Sequence, residues 1–433
     1  MTHDQAPALA TLGNGVRLLA IALPHLETAS VSVFVRSGSQ HESARLNGIS
    51  HVVEHMAFKG TRARDCQRIN LDAERLGADV NAHTDKDHTA FHMSGLARDA
   101  GAFVAMLGDI VQGSTFPEAE LERERQVLLQ EFLEDEDDAL STAYKLFDKA
   151  CFGDHPLAQP VIGSRRNIER FSRDDLLGYV QSQYTGANVI VGIAGNVDPQ
   201  ALFAVADAAF GAMPAGSENR VEVPAWVGGT PSRRQPGSSQ THVVLGFPIP
   251  SLGGDCEAGV VAAALFGEGM SSPLLDQIRE RRGLVYHAAC SADVMQLAGQ
   301  FVIEASTVPE HLDPFFVEVA RLLREHAETT DGVGLERARN QIAVRTLRAQ
   351  ERPMRRLEDA ALDLLVHGRV RSRGELIERV AAVSADQVRA VFQRMLLARP
   401  AVALAGKLGK GTSARFLDRL ALPSAASTPM EPP

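Results

Sequence analysis

The sequence predicts an α+β chain made of two similar domains, on three grounds. Its 433 residues exceed what one compact core normally uses. The order of strand-like and helix-like segments in the first half returns in the second. Between residues 214 and 239 the composition turns to Pro, Gly and Ser, as expected of a flexible connection. The expected boundaries are 1–214 for the first domain, 215–239 for the linker and 240–423 for the second domain. The small, Pro-rich tail at 424–433 reads as disordered.

In the first half, residues 14–36 read as strand material with a turn at Pro24, and 31–35 is rich in β-branched and apolar residues. A helix follows, then a strand pair around Val80 and Phe91, then a helix near 99–111. Residues 117–134 form a charged amphipathic helix that Pro117 opens. A buried strand at 189–193 leads through Asn196, Val197 and Asp198 into another helix. In the second half, 243–247 matches the strand at 31–35, and a helix at about 257–266 follows. Two strand-like runs near His287 and at 301–305 precede a helix at 312–326 that matches 99–111. What repeats is the order of elements, not residue identity.

Composition narrows the function. The formal net charge of -10 repels phosphate backbones and anionic lipid, so neither nucleic acid nor membrane is an expected partner. The basic run of Arg279, Arg281 and Arg282 reads first as a solvated helix face. Four scattered cysteines (Cys66, Cys151, Cys256 and Cys290) form no CxxC pair and no disulfide framework. The N-terminus shows no secretory signal, and no apolar run is long enough to span a membrane. A reducing cytoplasm is the expected setting.

The chemistry concentrates in His51-Val52-Val53-Glu54-His55. On a helix advancing about 100° per residue, His51 and His55 lie roughly 40° apart on one face, as two imidazoles on one ion require. Glu54 falls about 60° to the other side of His51, within reach of a water at that ion. Such a trio also arises as surface histidines, but Val52, Val53, Met56 and Phe58 mark this helix as largely buried. The charged helix offers Glu122, Glu124, Glu131 and Glu134 as a third ligand. Glu124 and Glu131, seven apart, share one face, so one could bind metal while the other orients a histidine. Spacing alone does not choose between them.

Residues 47–61, Asn-Gly-Ile-Ser-His-Val-Val-Glu-His-Met-Ala-Phe-Lys-Gly-Thr, resemble the signature of the pitrilysin family of inverted-motif zinc peptidases. In that family the third ligand stands about 76 residues past the second histidine, in a Glu-rich helix. The resemblance therefore selects Glu131 and leaves Glu124 as the supporting carboxylate. It implies one Zn2+ per chain on His51, His55 and Glu131, with Glu54 as the general base. It also implies two α/β-sandwich domains, each a mostly antiparallel sheet with helices packed on it, forming half of a clamshell.

The segment 81–91 resembles the family's hairpin beside the metal, whose edge strand pairs with substrate backbone, here through Asn81 and Ala82. His83, His88 and His92 form a rival metal cluster, with His88 and His92 on one strand face. Lacking an acidic partner, they read as solvent-facing or core histidines. Residues 279–286 resemble the motif of the family's second half, which implies that Arg279 binds substrate carbonyls and Tyr286 donates to the oxyanion. The same segment also reads as a helix end closed by Gly283, with Tyr286 in the core.

The expected activity is endopeptidase cleavage of short or unfolded peptides in an enclosed chamber. The expected assembly is a homodimer, or a heterodimer with a homologous chain. The alternative is a non-catalytic peptide-binding or structural subunit.

Overall fold

The structure, a computed structural model, describes residues 6–409. The expected tail at 424–433 lies outside the described residues. The chain opens with β1 (Ala8–Thr11), β2 (Arg17–Ala22), β3 (Thr28–Val35), α1 (Ile49–Ala57), α2 (Cys66–Arg75), β4 (Asp79–Thr84) and β5 (Thr89–Leu96). Next come α3 (Ala100–Gly113), α4 (Glu118–Asp137), α5 (Ala139–Phe152), α6 (Arg165–Arg170), α7 (Arg173–Gln183), β6 (Val189–Gly195) and α8 (Pro199–Phe210). The second series is β7 (Ser232–Arg234), β8 (Thr241–Ile249), α9 (Glu257–Gly267), β9 (His287–Val294), β10 (Gly299–Thr307) and α10 (Leu312–Glu328). It closes with α11 (Gly332–Gln350), α12 (Pro353–His367), α13 (Arg373–Ala382), α14 (Ala385–Leu397) and β11 (Ala401–Gly406).

Among the described residues the strands form two sheets, ordered β1-β2-β6-β3-β5-β4 and β7-β11-β8-β10-β9. Leaving out β1, the two orders superimpose strand for strand. In each, a parallel pair (β2 with β6, β7 with β11) is followed by antiparallel neighbours. The repeated element order is therefore a repeated topology, and the fold is α+β with two similar domains.

Each sheet is covered on both faces, which its sequence requires. On β3, Val31, Val33 and Val35 face the helices α1 and α3, while Phe34 turns the other way onto Leu357, Ala360 and Leu364 of α12. On β8, Val243, Leu245 and Phe247 pack on α9, α10 and α14, while Val244 meets Phe147 and Ala143 of α5.

The domains consequently do not follow chain order, as the expected boundaries do. One compact unit comprises 1–134, 159–222 and 347–373, and the other 135–158, 223–346 and 374–433. The departure from 1–214 and 240–423 is physical. Helix α5 lies early in the chain but buries its apolar side on β8 and β11, and α12 lies late but buries its own on β3 and β6.

The 215–239 connection is pinned rather than flexible. In the first unit Asn219 Nδ2 donates to Arg36 O (2.7 Å) and Asn219 N to Asn188 Oδ1 (2.7 Å). In the second, Trp226 Nε1 donates to Arg399 O at 2.7 Å, and residues 232–234 form β7. Among the described residues no helix is long and apolar enough to cross a membrane, and the four cysteines form no disulfide.

Candidate metal centre

Helix α1 starts sharply because its first turn is capped from outside the helix. Gly48 precedes it at φ +96°, and a Cβ there would stand 2.8 Å from Gly163 Cα, so only glycine fits the approach. The buried carboxylate of Glu42 accepts from Gly48 N (2.7 Å), Ser50 N (2.8 Å) and Asn47 Nδ2 (3.1 Å). The first two are backbone N–H groups that a helix start leaves unsatisfied. Burial pushes the Glu42 carboxyl above its ordinary range, opposed by these hydrogen bonds. Ile49, Val52, Val53 and Met56 anchor the apolar side of α1 in the core, which turns the histidines toward α4.

There the chemistry-bearing side chains of the first unit converge. Glu131 Oε1 stands 3.7 Å from His51 Nε2, and its Oε2 stands 3.6 Å from His55 Nε2. The imidazoles meet edge-on with centroids 4.6 Å apart. One ligand atom from each of His51, His55 and Glu131 falls within 4.8 Å of the others. Two turns back on α4, Glu124 Oε1 accepts from His55 Nδ1 at 2.9 Å, and its Oε2 pairs with Lys59 Nζ at 2.6 Å. Glu54 is half-buried on α1, close enough that its charge acts on His55.

The electrostatics suit a cation. Burial, then the neighbouring His55, pushes the His51 pKa down to about 4, so this imidazole is neutral at physiological pH with a lone pair to give. At His55 burial acts in the same direction. It is outweighed by the Glu124 hydrogen bond and by the charges of Glu131, Glu54 and Glu124, which raise the pKa. An ionised Glu124 can only accept, so His55 Nδ1 carries a proton, and in the neutral ring Nε2 presents its lone pair on the side of Glu131. The carboxylates that favour a proton on His55 equally favour a divalent ion in its place.

The donor set fits zinc. A tetrahedral ion about 2.0–2.2 Å from its ligands spaces nitrogen and oxygen donors by about 3.3–3.6 Å. Of the two observed N–O separations, 3.6 Å lies at the upper edge of that range and 3.7 Å just beyond it. His51 differs from its partner in one respect: its Nδ1 is buried without a hydrogen-bond partner, so packing alone orients the ring.

The other candidate residues lie elsewhere. Asn81 and Ala82 are on β4, the edge strand of the first sheet, against which α1 packs. The Ala82 N–H is donated to Asn81 Oδ1 at 2.9 Å. Arg279 and Tyr286 belong to the second unit. Arg279 lies in a π-helical turn (Leu275–Glu280), and Gly283 at φ +58° closes that turn, its N–H donating to Arg279 O at 3.0 Å. Tyr286 is 79% exposed, so the alternative that seats it in the core is wrong. The hairpin histidines also differ from expectation, because His83 and His88 do have an acidic neighbour, Asp85.

Two participants went unread in the sequence. Lys59 stands four residues after His55, a spacing that could have flagged it. Glu42 gives no local signal, since its partners lie across a loop.

Comparison with known proteins places this geometry. An uncharacterized zinc protease of Rickettsia bellii is 31% identical over 379 residues, covering 87% of this chain and 92% of that protein. The chain belongs to Peptidase family M16. Residues 17–165 match the family's description "Insulinase (Peptidase family M16)", and residues 170–342 match "Peptidase M16 inactive domain". An uncharacterized zinc protease of Mycobacterium tuberculosis is 30% identical over 419 residues, 94% of this chain and 95% of that one. A protease from Helicobacter pylori shares the fold at TM-score 0.85 with 20% identity, over 93% of this chain and 99% of that one. The M16 match spans His51, Glu54, His55, Glu124 and Glu131, whereas the inactive-domain match contains none of them.

For an M16 chain the Glu124 contact has a measurable consequence. Glu124→Gln keeps the shape but weakens the acceptor that fixes His55. Zinc affinity should fall about 10- to 100-fold in titrations against a competing chelator.

Proposed function

We propose that this M16 chain is a zinc-dependent endopeptidase acting on short or unfolded peptides. The observation that carries the reading is the convergence of His51 and His55 of α1 with Glu131 of α4, beside Glu54. His51, His55 and Glu131 would hold one zinc. When bound, that ion supplies a Lewis acid that lowers the pKa of water toward neutrality and polarises a carbonyl.

The remaining chemistry falls to the chain's own groups. Glu54 takes a proton as water attacks the scissile carbonyl, then delivers it to the leaving amine. The edge of β4 at Asn81 and Ala82 pairs with the substrate main chain, the peptide's carbonyl replacing the Asn81 side chain as partner of the Ala82 N–H. Arg279 binds substrate carbonyls and Tyr286 donates to the developing oxyanion. Both side chains are exposed. The working form is a homodimer, whose closed chamber excludes folded proteins.

The test is cleavage of a mixed quenched-fluorescent peptide library by the purified full chain. Cleavage should stop with chelator and return with added zinc. Metal binding without cleavage would instead favour a non-catalytic peptide-binding subunit.

A further inference from the structure

We propose that the β4–β5 turn carries a second divalent-cation site, formed by His83, Asp85 and His88 on the face of the first sheet opposite α1. One ligand atom from each residue lies within 4.8 Å of the others. The strand pleat fixes the face. Val80 and Ala82 turn toward the core shared with α1, and His83 turns away, opposite Ala90, which packs with Phe34 and α12. The His88 ring lies 5.9 Å from Phe34 and 5.5 Å from His83. This cluster is thus separate from the centre on α1 and α4, and the inference does not depend on the proposed peptidase activity.

His88 is the observation that asks for a ligand. It is only 4% exposed, yet neither ring nitrogen has a hydrogen-bond partner. Asp85 Oδ1 stands 3.5 Å from His88 Nδ1. Burying an imidazole with both nitrogens unmatched is costly unless something else coordinates it. A cation bridging His88, His83 and the carboxylate would satisfy it.

The turn is held ready for that role. Ser39 N donates to Asp85 O (3.1 Å) and Gln40 N to Lys86 O (3.2 Å). Gln40 Nε2 donates to Asp87 Oδ1 at 2.8 Å, and Asp87 N donates to Asp85 Oδ1 at 3.0 Å. Gly38 lets the two segments touch, because a Cβ there would lie 2.3 Å from Asp85 O. Behind His83 stands the His92 ring, with centroids 5.8 Å apart. Asp85 is exposed and opens the site to solvent. Two imidazoles and one carboxylate select a borderline transition ion such as Zn2+ or Co2+ over Ca2+ or Mg2+.

The experiment is equilibrium dialysis of the full chain against micromolar Zn2+, with metal counted by mass spectrometry. Wild type should bind two equivalents, H51A/H55A one, and H51A/H55A/H88A none. Absence of bound zinc in H51A/H55A, or one equivalent persisting in H51A/H55A/H88A, would overturn the site. Should H88A lose its folded circular-dichroism spectrum, H83A and D85N in the H51A/H55A background carry the test, because both positions are less buried. Each should weaken the remaining zinc by about tenfold or more, and unchanged affinity would refute the assignment.

Discussion

Replacing Glu54 with Gln should lower kcat by about 10²- to 10⁴-fold, the range expected for removing a general base, while zinc at His51, His55 and Glu131 stays bound. The amide is nearly isosteric with the carboxylate, and Glu54 is not among the three converging donors. A fall in turnover with unchanged metal content therefore isolates proton transfer from metal loss. Substrate KM should change little if, as proposed, the β4 edge rather than Glu54 binds the peptide main chain. If E54Q cleaved peptides at a near-normal rate, the proton acceptor would have to be another group.

Replacing His55 with Ala should have the second-largest effect, through metal rather than proton. His55 is the hub of the centre: Nε2 faces Glu131 and Nδ1 is locked by Glu124, which is itself held by Lys59. Truncation removes a ligand and strands its orienting carboxylate. The loss of zinc affinity should exceed the about 100-fold upper range for an outer-sphere partner, and cleavage in zinc-limited buffer should fall to background. His51→Ala should remove the ligand without stranding any such carboxylate, because its Nδ1 has no hydrogen-bond partner. The two variants should thus match in zinc loss, while only H55A releases the Glu124–Lys59 pair. Equal zinc affinity in H55A and wild type would mean that the ion binds elsewhere.

Much of this was legible in the chain because the responsible forces are local. Strands β3, β4, β5, β8 and β10 follow from alternation or apolar runs, and α1 and α4 from helical periodicity. The metal histidines share a helix, so spacing of one turn juxtaposes them, and Glu131 was reachable only through resemblance. What escaped is non-local. Helices α5 and α12 bury their apolar sides on sheets far away in sequence, and neither helix states which sheet that is. The 215–239 segment has a flexible composition but is tied down by Asn219 and Trp226 through partners more than thirty residues distant. Asp85 stands in a turn, where strand alternation no longer says which way a side chain points, so its approach to His83 and His88 emerged only in three dimensions. Glu42 is near the start of α1 in sequence, six and eight residues from Gly48 and Ser50, but it lies in irregular chain where no periodicity places its carboxylate.

The most direct test of the central claim is anomalous diffraction at the zinc edge from crystals of the zinc-loaded E54Q protein. The account predicts a peak about 2.0–2.2 Å from His51 Nε2, His55 Nε2 and a Glu131 carboxylate oxygen. Zinc-loaded crystals with no anomalous density among those three side chains would contradict it.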